Sequence, residues 1–124
     1  HDPEMGARCG GTLAEELELG GLILRHRAKA GEIRPELSGH YHPRLQLKVR
    51  QRHIRRPCAV VSANDGPGGK PGGRMILPAF GAFTGGMDAA DPAILNALQP
   101  AQRIDAVVPA KGQLARFNLW NRAA

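Results

Sequence analysis

"SGHYHPRLQLKVRQRHIRRPCAVVSA", residues 38–63, is the stretch that decides between helix and strand. Leu45, Leu47 and Val49 alternate with Gln46, Lys48 and Arg50. A period of two is the signature of a half-buried strand, here with a cationic outer face. "CAVVSA", residues 58–63, reads as the next strand and places Cys58 as a buried thiol. Ahead of both, Ser38 to Pro43 reads as a loop. Gly39 gives it backbone freedom, and Pro43 restricts His42 to extended conformations.

The same reasoning extends in both directions. In "AEELELGGLILRH", residues 14–26, Leu17 and Leu19 alternate with acids and Gly20-Gly21 supplies a two-residue turn. Leu22, Ile23 and Leu24 return as a more buried strand, and His26 stands just past its end. Residues 28–37 read as a polar connection. "NDGPGGKPGG", residues 64–73, reads as a mobile low-complexity loop, and "RMILPAF" as a strand broken by Pro78. "GAFTGGM" is a glycine-rich turn without the strand-to-helix spacing of a nucleotide loop, although so open a backbone can approach a ligand closely. "DPAILNALQP" is the one convincing helix, capped by Asp91, opened by Pro92 and ended by Pro100. "IDAVVP" and "LARFNLW" flank "AKGQ" as a final hairpin. The expectation is an α+β chain, β-rich with one short helix, forming a single domain over residues 1–124.

Composition sets limits on this picture. A chain of 124 residues supports one modest core, and aromatic residues at 4% leave Leu, Ile, Val and Ala to fill it. Sixteen glycines and ten prolines suit turns rather than a helical bundle. No apolar run has the length of a membrane span. The two cysteines, Cys9 and Cys58, form no C-x-x-C pair, which reads as a reducing, cytoplasmic setting. The chain opens on His1, Asp2 and Pro3 rather than on Met, and reads as a piece of something longer.

Lysine and arginine outnumber the acids 17 to 11. The excess is local, in Arg44, Lys48, Arg50, Arg52, Arg55 and Arg56. A run of this kind is most often a solvated strand face. It also matches the footprint of a phosphate-rich partner, read here as Lys48, Arg50, Arg52, Arg55 and Arg56 contacting a nucleic-acid backbone. Interleaved aromatics are absent, which argues against a single-strand stacking platform.

His40 and His42, two apart in a loop, can reach one point or two adjacent points. Imidazole nitrogens suit Zn, Mn, Fe, Co or Ni. H-x-H alone more often marks two surface histidines, but His26, displayed after a buried strand, can join them. Three histidines without cysteine leave two possibilities open: a three-His mononuclear centre, or part of a larger carboxylate-and-histidine cluster. His53, among arginines, reads as a solvated or phosphate-contacting residue. Ser38 and Ser62 are the only serines and neither sits in a nucleophile elbow.

Taken together, "HDP", "LILRH", "GHYHP", "RRPC" and "LPAFGAFTGG" resemble the carboxyl-terminal half of calcineurin-like metallophosphoesterases, and most of all the bacterial ligase-associated DNA-damage-response endonuclease family. The resemblance covers nearly the whole chain and weakens after the helix. It implies a four-layer α-β-β-α sandwich of which this chain supplies one sheet and its covering helix. It also implies two divalent metal ions, manganese foremost and iron or zinc as alternatives. Phosphodiester hydrolysis by a bridging hydroxide would follow, with DNA as substrate and repair as context. By the same likeness His26 and His40 bind the second metal, His42 binds the first, and His1 acts as acid or charge stabiliser at the leaving group. The D-x-H and G-D-x-x-D motifs and the asparagine before His1 lie upstream in the family, so the upstream half of the protein is an expected partner, and a ligase or helicase another. The competing expectations are a non-catalytic basic module that binds nucleic acid through residues 44–56, and a structural metal that staples the fold.

Overall fold

The computed structural model describes residues 16–79 and 85–123. Seven strands form one mixed sheet: β1 (Glu16–Leu19), β2 (Leu22–Arg25), β3 (Glu36–Ser38), β6 (Ala59–Asp65), β7 (Pro71–Ile76), β8 (Arg103–Ala110) and β9 (Gln113–Asn121). Their spatial order is β1-β2-β3-β7-β6-β8-β9. The β2–β3 and β3–β7 pairs are parallel, and the remaining pairs are antiparallel. β4 (Arg44–Val49) and β5 (Arg52–Pro57) form a separate two-stranded ribbon, and α1 (Pro92–Ala97) is the α-helix of the described residues. The described residues are therefore β-rich, with a mixed sheet and little helix, and no described helix is long and apolar enough to cross a membrane.

Three hairpins turn on two residues with positive φ, the geometry whose twist matches that of the strands they join. Gly20 and Gly21 turn β1 into β2, and Lys111 and Gly112 turn β8 into β9. The third corrects the single cationic strand expected over residues 44–56. Arg50 (φ 50°) and Gln51 (φ 66°) reverse the chain there without a glycine to mark the place. Residues 64–73 also differ from the mobile loop expected. β6 runs on to Asp65, β7 begins at Pro71, and the reversal between them is closed by the Gly66 N–H donating to the Lys70 carbonyl at 2.6 Å. Gly73 has a packing reason, since a Cβ there would lie 2.5 Å from the Ser62 carbonyl oxygen across the pair.

The sheet has two unlike faces, and cross-strand neighbours define them because residues directly opposite share a face. One row runs Glu18, Ile23, Glu36, Arg74, Ser62, Ile104, Trp120. On this side Val60, Ile76, Ile104 and Ala106 are fully buried against Ile94 and Leu98 of the helical segment. α1 forms there because the Asp91 carboxylate accepts the Ala93 N–H at 2.8 Å and Pro92 takes the first turn. Each such Ile or Leu contributes about 1.5–3 kcal/mol by leaving water. The opposite face carries the row Leu17, Leu24, Leu37, Met75, Val61. These are apolar but at most half-buried, and Leu17 is 51% exposed.

The largest correction concerns residues 28–37. Where a polar connection is expected, the structure has β3, a three-residue strand at the parallel centre of the sheet, with Glu36 and Ser38 buried. Charge replaces the missing apolar signal. The wholly buried Arg74 holds the Glu36 carboxylate, with Nε donating to Oε1 at 3.0 Å, and Arg25 donates to Oε2 at 2.6 Å. Arg74 also donates to the Lys29 carbonyl at 2.6 Å. Arg25 continues to Glu32 at 2.9 Å and to Glu16 at 2.7 Å, and Arg34 closes on Glu32. Breaking a buried pair strands a desolvated charge, so Glu36→Ala is expected to cost about 3–5 kcal/mol, read from urea denaturation. The network also sets an acid limit. Its hydrogen bond from Arg34, more than any other contact, holds the Glu32 carboxyl at about 2, below its ordinary 4.5. A depressed carboxyl stabilises the fold above its unfolded pKa and stops doing so as pH falls through the folded value. Stability is therefore expected to drop between about pH 4.5 and 2, and Glu32→Gln should flatten that limb in acid-titrated melts.

Candidate metal centre and its cationic ribbon

The parallel centre of the sheet is what brings two histidines together. β2 and β3 pair in register, Leu24 opposite Leu37, and end side by side. The residues that follow therefore leave the sheet at one edge, where the Gly39 N–H donates to the His26 carbonyl at 2.9 Å. His40 then takes φ 74°, an uncommon conformation for a residue with a side chain, and turns its ring onto His26. His26 Nε2 and His40 Nδ1 are 3.0 Å apart, with the rings edge to face at 4.9 Å between centroids. Tyr41 packs its edge on His40 at 5.1 Å.

Two imidazole nitrogens bound at right angles to one ion, each about 2.1 Å away, would be about 3.0 Å apart. That is also the length of a hydrogen bond between the two rings, which is how they meet in this structure. His26 is exposed on the surface, and its partial desolvation, followed by the neighbouring charge of His40 and more weakly those of Arg27 and His42, holds its pKa below the ordinary value. That favours the neutral ring, the form able to ligate.

His42 sits differently. Its φ is +49°, not the extended backbone expected ahead of Pro43. The cause is a segment distant in sequence. The Met87 N–H donates to the Tyr41 carbonyl at 3.3 Å, the Arg44 N–H to the Met87 carbonyl at 2.8 Å, and the Ala89 N–H to the Arg44 carbonyl at 2.9 Å. Residues 85–89 thus run alongside residues 41–44 and dictate their course. Backbone strain of this kind costs about 1–3 kcal/mol and persists only where surroundings over-determine it. His42 Nδ1 lies 3.2 Å from the Gly85 carbonyl oxygen. Among the described residues no group of three or more histidines, cysteines or acids gathers into one metal-binding cluster, so His42 is not a third member of the His26–His40 pair. His1 lies outside the described residues. Cys58 is buried, and burial pushes its thiol up to about 11, which leaves it inert.

The cationic residues stand on the ribbon that springs directly from the histidine loop. Its base is closed by the Cys58 N–H donating to the Pro43 carbonyl at 3.1 Å, and Leu45 is buried in the core. Beyond that base the ribbon is largely exposed. Lys48 and Arg55 share one face with His53, Arg52 and Arg56 share the other with Leu47 and Ile54, and Arg50 stands at the turn. The charge is thus spread over both faces of a hairpin, not confined to one side of a strand. No acid occurs in residues 44–57. The residues sequence reasoning missed are Gly85 and Gly86, whose backbone meets His42. The glycine-rich "GAFTGG" was the available signal, but nothing in it named the partner.

No protein-family model matches the chain, and no curated protein matches it. Among solved structures it is similar to the Pseudomonas putida nuclease MPE, with 25% sequence identity and a TM-score of 0.48. The match covers 90% of this chain and 45% of the nuclease, so this chain spans less than half of that protein.

Proposed function

We propose that this chain is the carboxyl-terminal part of a metal-dependent phosphodiesterase acting on DNA, with two divalent cations, manganese or alternatively iron or zinc, at the histidine edge of its sheet. The observation that carries this reading is the His26–His40 pair, whose facing nitrogens lie 3.0 Å apart at the ends of two parallel strands. In this reading His26 and His40 hold one cation, and His42 holds its neighbour. His1 serves the leaving group, and the upstream half of the same protein supplies the remaining ligands. Two such cations, when bound, supply Lewis acidity for a phosphodiester and a nucleophile from water at neutral pH.

The chain's own residues do the rest. The His26 pKa lies below its ordinary value, a direction that favours the neutral ring a cation would need. In this reading Lys48, Arg50, Arg52, Arg55 and Arg56 on the exposed ribbon attract a polyanion. The half-buried apolar row Leu17, Leu24, Leu37, Met75, Val61 is the surface on which the upstream half would pack as a second sheet. A role in DNA repair, with a ligase or helicase as companion, belongs to the same proposal and rests on the family resemblance. In the intact protein, His26→Ala, His40→Ala and His42→Ala are each expected to abolish metal-dependent phosphodiester hydrolysis and to lower bound metal by elemental analysis. Undiminished hydrolysis in these variants would exclude the reading.

The exposed, acid-free ribbon supports a second reading, a non-catalytic module that binds nucleic acid. Neutralising Lys48, Arg50, Arg52, Arg55 and Arg56 is then expected to weaken binding uniformly across sequences. The slope of log K against log salt should become shallower by about 0.7–0.9 for each phosphate that is no longer neutralised. Binding that survives both chelation and histidine substitution, with no hydrolysis in the wild type, would favour the module over the enzyme.

A further inference from the structure

We infer that Gly86 is a positioning residue for His42, and that the Gly85 carbonyl selects which nitrogen of the His42 ring is offered to a ligand. The inference rests on the reading of His42 as a metal ligand. The two adjacent glycines meet opposite demands. A Cβ on Gly85 would have nothing within 4 Å among the described residues. A Cβ on Gly86 would lie 2.4 Å from the His42 carbonyl oxygen, 2.8 Å from Arg44 Nε and 2.9 Å from Arg44 Cδ. The His42 carbonyl belongs to a backbone held on both sides by the Met87–Tyr41 and Arg44–Met87 hydrogen bonds. Any side chain at position 86 therefore separates residues 85–88 from the histidine loop.

That separation reaches the ring. A carbonyl oxygen only accepts, so the 3.2 Å contact requires His42 Nδ1 to carry the proton. Nε2 then holds the lone pair, which is how an outer-shell carbonyl orients a ligating imidazole. His42 needs this support more than its neighbours do, because its φ of +49° precedes a proline. The glycine-rich turn thus has a function distinct from phosphate cradling: Gly85 fixes the tautomer, and Gly86 permits the approach.

The test uses the intact protein as wild type, Gly85→Ala, Gly86→Ala and His42→Ala. Ring-nitrogen NMR of the metal-free protein reads the tautomer, and calorimetric Mn2+ titration reads affinity. Wild type and Gly85→Ala are expected to show His42 protonated at Nδ1 and to bind Mn2+ alike. Gly86→Ala should lose the single tautomer and bind about 10–100-fold more weakly, with His26 and His40 resonances retained. Wild-type His42 protonated at Nε2, or wild-type affinity in Gly86→Ala, would overturn the inference, and the first of these is readable even if Gly86→Ala fails to fold. Unchanged Mn2+ affinity in His42→Ala would overturn the ligand reading beneath it, whatever the tautomer.

Discussion

The buried Glu36–Arg74 pair is the constraint on which the rest of the structure depends. β3 is three residues long, at the short end for a strand, and lies between two parallel neighbours. Its carboxylate binds arginines from both neighbours, Arg25 on β2 and Arg74 on β7. Desolvating these groups is unfavourable unless each finds its counter-charge. The arrangement therefore penalises any slip of register, because a shift of one residue would send Glu36 to the apolar face and strand two cations. Specificity of register, more than net stability, is what such a pair provides.

The meeting of the two histidines follows from that register. β2 and β3 end together only because Glu36 is held opposite Ile23, and His26 and His40 meet only because the strands end together. The loop then continues through His42 into the ribbon without further covalent spacing. Histidine pair, third histidine and cationic hairpin follow one another along the chain from one short parallel strand. Carboxyl ends of parallel strands are a common place for sites in mixed and parallel sheets, since side chains displayed there converge while the sheet holds them rigidly.

Much of the fold was legible in local pattern. The Gly20-Gly21 hairpin, the alternation of residues 45–48, the "CAVVSA" strand, the Asp91-capped helix and the final hairpin all rest on interactions within a few residues, and all are present. The failures share a cause as well. The Arg50–Gln51 turn carries no turn residue, and its positive φ values are imposed by the pairing of the strands it joins. β3 was hidden because its buried side is Glu and Ser rather than Leu and Val. The glycine-rich run 66–73 read as disorder, whereas Gly73 is there to let two backbones approach.

The site divides in the same way. Sequence alone singled out His26, His40 and His42 and the cationic run over residues 44–56, because residue type and spacing are local properties, while the ligand roles of the histidines came from the family resemblance. Only the tertiary structure decided that His26 and His40, fourteen residues apart, form a facing pair, and that His42 answers to a carbonyl forty-three residues away. It also decided that the cations occupy both faces of a hairpin. Those outcomes depend on strand register and on a positive φ ahead of a proline, and both are set by hydrogen bonds between segments far apart in the chain.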